Sequence, residues 1–527
     1  MGQEGPAPRH FRRASSLKLL LRSPFSRVAN PLALLFLMVV PLFGEGNRPV
    51  ELGDRRELML DGALFETIRD LEFRQHSPRD AEKILDLDAP WEGRKYHGFT
   101  VCGYPVVLED GGRFRLYYAS YLGLRFRPRD PETQFTCYAE SSDGVTWDRT
   151  RLGRVEFEGS TDNNILLQGR TSHNFAPFID TRPGTPASER YKAVGGNPEA
   201  HVFASADGLE WRKLREEPIL DGEEPAFDRH GAMRWGNDPS RRRAILDSLN
   251  VSFWDPGNGQ YVLFFRAYLP CLSRDGKRRL PETRSVMRAT SRDFQNWGNI
   301  EPIEYGEPRR EWKHSLYTSG LKPYPRAPHI VLGFPLRTAP RKPFHGTSYG
   351  LSETAFMYSR DTLNFVLVDE PFLRPGRDAR NWSKHGNLMA WGMLQTAPDE
   401  LSFYYLQHDH QPDTFIRRGV LRVDGFRSLH AGGFPGGTAI TRPLVFQGAR
   451  LEINAATGAG GGIRIAILDA ATKRPVPGYE SSKEFFGDEI QHFVEFGGGR
   501  TLAPLSGKPV RLRLEMVEAD LYSLKFH

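Results

Sequence analysis

Short apolar runs alternate with polar turns along most of this chain, and the arrangement repeats five times. In each repeat, strand-like segments with alternating apolar and polar residues lead to a turn that carries an aspartate followed by an aromatic or large apolar residue. The five aspartates are 63 to 86 residues apart: Asp143, Asp207, Asp293, Asp361 and Asp424. A repeat of this length, made of strands and turns, is typical of one four-stranded β-propeller blade, and five copies can close a ring.

The turns share a short motif. Ser141–Trp147 reads Ser-Ser-Asp-Gly-Val-Thr-Trp, and Ser205–Trp211 reads Ser-Ala-Asp-Gly-Leu-Glu-Trp. An aspartate in such a turn accepts hydrogen bonds from backbone amides of the same turn, and we expect the tryptophan to pack between blades. These aspartates are therefore interpreted as structural and not as catalytic.

Four regions are predicted along the chain. Residues 1–44 form a basic leader with an apolar segment, and residues 45–90 form lead-in strands. The five-bladed propeller occupies residues 91–430. In residues 431–527 the alternation continues between glycine-rich loops, which predicts a β-sandwich. The predicted fold class is all-β, a five-bladed β-propeller followed by a C-terminal β-sandwich.

The positive charge of the chain is concentrated near its start. The net charge is +6 over 527 residues, and the first thirty residues contain six Lys or Arg residues and a single acid. The remainder is close to neutral, so nucleic acid is not a predicted partner. The apolar run from Pro31 to Gly44 fits a secretory signal and is shorter than the ~20 residues that span a bilayer. Export to the periplasm, cell surface or medium is predicted; the alternative is a retained N-terminal anchor, which would be the protein's one membrane contact.

The cysteine content does not predict a disulfide framework. Of the three cysteines, Cys102 and Cys137 fall in the first blade and could pair after export. Buried free thiols are the other interpretation. No Cys/His spacing resembles a zinc site.

Polar residues stand where the inner strand of each blade is predicted to begin. If these strand starts surround one axis, the segments converge on a common pocket. Amides, imidazoles and aromatic rings suit a sugar, whose hydroxyls need polar partners while its C–H faces stack on rings. Seven residues are therefore predicted to bind substrate: His97, His173, Asn174, Asn250, Tyr317, His385 and Asn387. Asp247, between Leu246 and Ser248, is the candidate carboxylate at the same position of the third blade.

With five blades, these edge turns and a trailing sandwich, the chain resembles the five-bladed β-propeller glycosidases of families 32, 43 and 68. It also resembles a poorly characterised bacterial group of propeller-plus-sandwich proteins. The known families share an acidic triad, and the resemblance gives Asp247 the role of base or pKa modulator on the third blade. Glu92 or Asp61 stands for the first-blade acid, and Glu353 or Asp409 is a candidate general acid. The Arg-Asp-Pro and Asn-Asp-Pro signatures of those families are absent.

Two functions follow from this resemblance. The first is an exported glycoside hydrolase that cleaves a poly- or oligosaccharide, with Asp247, Glu92 and Glu353 as catalytic residues. The alternative is a non-catalytic glycan-binding propeller at the cell surface, which the missing signatures favour. A sialidase is disfavoured because no blade begins with a cluster of arginines. No cofactor is required, although Asp247, Asn250 and nearby histidines could hold a divalent ion at the axis.

Overall fold

The structure is a computed structural model that describes residues 48–93, 102–122, 133–232, 245–272, 279–305, 315–339, 351–383 and 385–527. Within these ranges the helical content is one short α-helix, Pro225–Arg229, and seven 3-10 turns. The 3-10 turns are Gly62–Leu64, Pro90–Glu92, Arg170–Ser172, Ala187–Glu189, Ala379–Asn381, Gly497–Gly499 and Ala503–Leu505. Across the described parts of the chain, no helix has the length and apolar character to cross a membrane.

Five sheets follow one another along the chain, and we call them blades 1 to 5. Blade 1 contains the strands Cys102–Asp110, Arg113–Tyr121, Gln134–Ser141 and Ile165–Gln168. Blade 2 contains Ala176–Ile179, Tyr191–Gly195, His201–Ser205 and Arg212–Lys213. Blade 3 contains Val251–Asp255, Gln260–Leu272, Arg279–Ser291 and Gly298–Pro302.

The last two blades contain strands in addition to, or from outside, the run of four consecutive strands that forms each of blades 1 to 3. Blade 4 contains Leu321–Tyr324, Ala327–Gly333, Leu336–Ala339, Leu351–Ser359, Asn364–Leu373 and Glu304–Tyr305. Blade 5 contains Leu394–Ala397, Glu400–Gln407, Phe415–Arg422 and Arg79–Asp86. The prediction of an all-β fold with a five-bladed propeller is thus confirmed.

The first hairpin of blade 1 shows how the local sequence sets a strand register. Gly111 and Gly112 have φ angles of 60° and 83°. A two-residue type I′ turn needs two such left-handed residues, and glycine adopts them without steric cost. Asp110 and Arg113 are consequently opposite each other, and the alternating residues of the two strands follow in register.

The first strands of the blades surround the centre of the ring. Cys102–Asp110 contacts Ala176–Ile179, which contacts Val251–Asp255, which in turn contacts Leu321–Tyr324. Blade 5 completes the circle through Trp391, which is 1% exposed. Its backbone N–H donates to the carbonyl of Pro105 in blade 1 at 2.8 Å, and its indole N–H donates to Leu321 in blade 4 at 2.9 Å.

A strand from before blade 1 closes the ring from the other end. Arg79–Asp86 pairs antiparallel with Phe415–Arg422 and is the fourth strand of blade 5. Ile84 and Leu85 are buried in the same hydrophobic core as the strands of blade 1. The N-terminal and C-terminal parts of the propeller are therefore joined within a single blade.

Four of the five repeated turns have the hydrogen bonds predicted from the sequence. In each, the aspartate Oδ1 accepts from the amides two and three residues later, as Asp143 does from Val145 and Thr146 at 2.8 and 2.7 Å. Asp207, Asp293 and Asp361 repeat the pattern. The indole ring of Trp147 meets Tyr404 of blade 5 edge-on at 5.5 Å, so it packs between blades as expected.

The fifth turn departs from the pattern. Asp424 is fully buried, and its carboxylate accepts from the Tyr324 hydroxyl at 2.7 Å and the Arg326 Nε at 3.0 Å. Arg56 also reaches it, at 3.3 Å. The aspartate of the fifth turn therefore forms ion pairs instead of capping its turn, at the point where the chain leaves the propeller.

The residues on both sides of the propeller form one ten-stranded sheet. From the start of the chain come Val50–Gly53, Glu57–Leu58, Phe65–Arg69 and Leu71–Gln75. From the end come Arg427–Ala431, Gly437–Thr441, Leu444–Phe446, Leu451–Asp469, Asp488–Phe493 and Val510–Phe526. Side chains of this sheet form a separate hydrophobic core, in which residues such as Leu52, Leu451 and Leu514 are fully buried.

Cys137 is a free thiol in the core of blade 1, as one of the two sequence interpretations predicted. Burial raises the pKa of this thiol well above its usual value. The cysteine is thus an inert packing residue.

Candidate active site at the propeller axis

The chain approaches the axis in strained conformations at several blade starts. Asn174, Leu246 and Asn387 have φ angles of 55°, 66° and 58°, and Tyr104 on the first strand of blade 1 has 51°. Non-glycine residues adopt this region at a cost, and such residues cluster at functional sites. Their positions mark the axial ends of the blades as a candidate functional site.

Asp247 precedes the first strand of blade 3 and pairs with a buried arginine. Its Oδ2 lies 2.8 Å from Arg266 Nη2, and its Oδ1 lies 3.6 Å from Nε2 of His173 in blade 2. Burial alone would raise the pKa of Asp247, but the Arg266 guanidinium and His173 outweigh it and hold that pKa well below its usual range. Asp247 is therefore ionised at neutral pH while its side chain stays 39% exposed.

Arg266 connects this carboxylate to a second guanidinium group and three tyrosines. Arg266 and Arg284 each approach the Tyr317 ring to 5.2 Å, and both also contact the ring of Tyr268. The hydroxyls of Tyr317 and Tyr104 are 2.9 Å apart. Burial, Tyr317 and Asp247 raise the pKa of Tyr104 well above its usual value, so this hydroxyl keeps its proton. The arrangement provides ring faces and donors in one place.

The cluster continues into blade 5 through histidines. The His385 ring lies 4.8 Å from the Tyr317 ring, and its Nδ1 is 3.2 Å from Oδ2 of Asp409. The same Asp409 oxygen lies 2.6 Å from Nδ1 of His410. Burial favours the neutral form of Asp409, but His410 and His385 more than offset it and the pKa of the carboxyl is well below its usual range.

These contacts connect residues from all five blades. We call the connected set the axial cluster: Tyr104, Tyr121, His173, Asp247, Arg266, Tyr268, Arg284, Tyr317, His385, Asp409 and His410. The predicted residues Asp247, His173, Tyr317 and His385 are thus brought together. The cluster combines two ionised carboxylates with imidazoles, guanidiniums and aromatic rings.

The three predicted asparagines support the backbone around the cluster. Asn174 and Asn250 each donate to the carbonyl of Leu246, at 3.2 and 2.9 Å. Asn387 donates to the carbonyl of Arg374 at 2.7 Å and accepts from Gln407 at 3.2 Å. All three are 1% exposed, so their amides hold the loops that carry Asp247 and His385.

In the described part of the chain, both predicted glutamates pair with arginines that are not members of the axial cluster. Glu92 is fully buried beside the second strand of blade 1, where its carboxyl accepts from Tyr118 at 2.7 Å and from Arg149 at 3.0 Å. Burial raises the pKa of Glu92, and Arg149 acts in the opposite direction. Glu353 pairs with Arg337 across two strands of blade 4. His97 lies outside the described residues.

Sequence reasoning did not select the arginines of the cluster. Arg266 follows the apolar run Tyr261–Phe265 on a strand where every residue from 261 to 269 is buried. Its Nη2 pairs with Asp247 at 2.8 Å, while its Nε has no hydrogen-bond partner. The sequence signal for Arg266 was a charged residue within a continuous apolar strand. Such a residue indicates a partner charge, because arginines are rarely buried unless they are paired. Arg284 pairs opposite Tyr268 on the neighbouring strand, which only the register reveals.

Comparisons with known proteins add two kinds of similarity. No family model matches the chain. Over 125 residues it is 29% identical to an uncharacterized protein of Mycobacterium tuberculosis, covering 24% of this chain and only 38% of that protein. A beta-1,2-mannobiose phosphorylase from Listeria innocua aligns over 67% of this chain and 98% of its own, at 14% identity and a TM-score of 0.39.

A second solved structure is an alpha-L-arabinofuranosidase from Podospora anserina. It aligns over 66% of this chain and 97% of its own, at 10% identity and a TM-score of 0.40. The protein is a five-bladed β-propeller, as its repeats predicted.

Proposed function

We propose that the protein is a carbohydrate-active hydrolase that cleaves a poly- or oligosaccharide bound at the axial cluster. The observation that carries the proposal is the continuous set of contacts from Asp247 through Arg266 and Tyr317 to His385 and Asp409. Simple packing of a propeller centre would favour small apolar residues. Burying charged groups there instead costs folding free energy, and a ligand-binding role accounts for why the protein retains them.

The chemistry of the cluster suits a sugar. Tyrosine faces stack on the C–H surfaces of a pyranose or furanose ring, while guanidinium and hydroxyl groups donate to its oxygens. Arg266 is 3% exposed; its Nη2 pairs with Asp247, and its Nε lacks a hydrogen-bond acceptor. A hydroxyl of the ligand can fill that role.

Asp247 is the proposed catalytic carboxylate. Because Arg266 and His173 keep its pKa low, Asp247 is ionised over the neutral range and can orient and deprotonate an attacking water or stabilise positive charge on the sugar. It is not suited to donate a proton. Asp409 is held ionised in the same way, so the electrophilic assistance to the leaving group must come from another group in the cluster.

The decisive experiment is a panel of polysaccharides and aryl glycosides that records both binding and product release. We expect wild-type turnover on at least one substrate, and a loss of kcat of at least ~100-fold in Asp247→Asn with little change in binding. Asp399→Asn, an exposed aspartate on blade 5, is the matched control and should retain activity. Unchanged turnover in Asp247→Asn would remove this residue from the mechanism.

A non-catalytic glycan-binding propeller is the second candidate. It is supported by the placement of Glu92 and Glu353 in ion pairs apart from the axial cluster. Saturable binding of a glycan by the wild type without product release would establish it. In that case Arg266→Met should abolish binding, whereas Asp399→Asn should not.

We also propose that the protein is exported, as the basic and apolar leader of residues 1–44 predicts. That leader lies outside the described residues, and a fractionation experiment on cells that express the full chain tests the proposal. Recovery in the cytosolic fraction with an intact leader would contradict it.

A further inference from the structure

Three potential metal ligands from blade 5 meet at one edge of the axial cluster. His385 precedes the first strand of the blade, and Asp409 and His410 follow its second strand. One ligand atom from each residue lies within 4.8 Å of the other two. Nδ1 of His385 and Nδ1 of His410 approach the same Asp409 oxygen, at 3.2 and 2.6 Å. A divalent ion bound at ~2.0–2.2 Å from each ligand needs only small side-chain movements from this geometry.

The carboxylate of the triad is incompletely satisfied. Asp409 is 1% exposed, and its second oxygen, Oδ1, is buried without a hydrogen-bond partner in the structure. A buried ionised carboxylate is costly unless it is fully paired or coordinates a metal. A divalent cation on this carboxylate would supply the missing partner and a compensating charge.

The loop that carries the triad is held in place by its own contacts. The two residues flanking Asp409, His408 and His410, have left-handed φ angles of 57° and 59°. His408 is fixed between Asp378 and Asp413 at 2.8 and 3.0 Å. The hydroxyl of Thr414 donates to the His408 carbonyl at 2.7 Å. This support gives Asp409 and His410 fixed directions, which is what a preorganised metal site requires.

The triad is also open on one side. Asp409 is buried, but His410 is 40% exposed and the Tyr317 ring packs against His385. Three protein ligands with one accessible side are typical of a catalytic metal site, whereas a structural site is closed by four.

We propose that His385, Asp409 and His410 bind one divalent first-row transition metal, of the Zn²⁺ class, with an open coordination position facing the axial cluster. Two imidazole nitrogens and one carboxylate suit Zn²⁺, Co²⁺ or Ni²⁺ better than Ca²⁺ or Mg²⁺, which prefer oxygen ligands. In the proposed hydrolase, the metal would supply electrophilic assistance to the leaving group. The binding site stands on geometry alone, and only its catalytic role rests on the proposed hydrolase function.

The test is metal binding by the full-length protein in the absence of any sugar. After treatment with a chelator, the protein is titrated with Zn²⁺ in a calorimeter and with Co²⁺ under visible absorption. We expect one site per chain and a Co²⁺ absorption band typical of mixed nitrogen and oxygen ligands. Asp409→Asn and His410→Gln should each weaken Zn²⁺ binding by at least ~10-fold.

His430→Gln is the matched control, because His430 forms a comparable pair with Asp520 at 3.0 Å in the ten-stranded sheet. It should bind Zn²⁺ as the wild type does. His410 is partly exposed, so His410→Gln keeps the protein folded even if Asp409→Asn does not, and circular dichroism checks both. No Zn²⁺ binding, equal binding by His410→Gln, or a preference for Ca²⁺ would overturn the proposal.

The outcomes separate this proposal from the proposed function. Metal binding without activity on any carbohydrate would leave the metal site standing and contradict the hydrolase. Full turnover by the chelated, metal-free protein would support the hydrolase and contradict only the catalytic role of the metal.

Discussion

At the scale of single residues, burial and partners decide what one residue type does in this protein. Asp143 caps its own turn, the buried Asp424 pairs with two arginines, and Asp247 presents a carboxylate to the axis. All three are aspartates near strand ends in the sequence. Their side chains differ in exposure and in neighbouring charge, and those two quantities set the chemistry available to each.

Asp110 gives a residue-scale prediction about pH. Its carboxylate pairs with Arg190 of blade 2, with Nη1 at 2.7 Å, and accepts from Tyr191. The hydrogen bond from Arg190, together with that from Tyr191, lowers the pKa of Asp110 to about 2 despite its partial burial. Because the folded pKa is below the unfolded value of ~3.9, the pair stabilises the protein above that pH and its contribution is lost as pH falls towards 2.

We therefore expect Asp110→Asn to reduce the free energy of unfolding by ~1–2 kcal/mol at pH 7, a value discounted for the exposure of Arg190. Urea denaturation at pH 7, 4 and 2.5 should show the difference from wild type shrinking at the lowest pH. Asp162→Asn, which removes an exposed pair with Arg151, should change stability by less than ~0.5 kcal/mol. A difference that persists undiminished at pH 2.5 would contradict the assignment.

At the scale of elements, the ring depends on the pairing of two strands that are far apart in the sequence. Arg79–Asp86 pairs with Phe415–Arg422, more than three hundred residues later. Leu85 lies opposite Ile416 and is 6% exposed. Side-chain bonds strengthen the pairing, since Glu82 accepts from Arg418 at 2.7 Å. The ring is thus closed by ordinary strand pairing and core packing.

Leu85→Ala should consequently destabilise the whole propeller. Removing a buried leucine side chain costs ~2–5 kcal/mol through lost burial and the cavity that remains. Chemical denaturation should show one transition with a lower midpoint. Arg79→Ala, at an exposed position of the same strand, is the control and should change the midpoint little. A second transition confined to blade 5 would show that ring closure is independent of the remaining blades.

At the scale of the whole molecule, one buried ion-pair network joins both ends of the chain to the propeller. Arg56 contacts Glu452 of the ten-stranded sheet at 2.6 Å and Asp424 of the last turn at 3.3 Å. Asp424 also accepts from the Ser523 hydroxyl at 2.8 Å and from Arg326 of blade 4. Both carboxylates are completely buried, so each depends on the arginines for its charge balance.

Arg56→Ala should therefore cost ~3–5 kcal/mol of unfolding free energy, because it leaves two buried carboxylates short of a partner. Arg56→Lys retains the charge without the forked geometry and should lose less. Thermal and urea unfolding of both variants measure the effect. A loss below ~1 kcal/mol for Arg56→Ala would mean that water or a rearranged side chain compensates the charges.

The periodic features of the fold could be predicted from the sequence because they are local. Strand alternation, the Gly111–Gly112 turn and the Asp143 type of cap depend on residues a few positions apart, and the cap recurs in four of the five repeats. The ring followed from their number, and Asp247, His173, Tyr317 and His385 followed from their equivalent positions in it. The positions of these strand starts were therefore predictable from the sequence. The side chains that contact them were not, because those contacts are not local.

What only the tertiary structure decided are the contacts between distant segments. Arg266 and Arg284 reach Tyr317 through strand register, Arg79–Asp86 completes blade 5 by pairing across the chain, and Asp409 meets His385 through the curvature of one blade. The sequence by itself determined the repeats, because hydrophobic alternation and turn chemistry act over a few residues. Charge partners, burial and hence pKa depend on which side chains the closed ring brings within a few ångströms, and no pattern along the chain contains that distance.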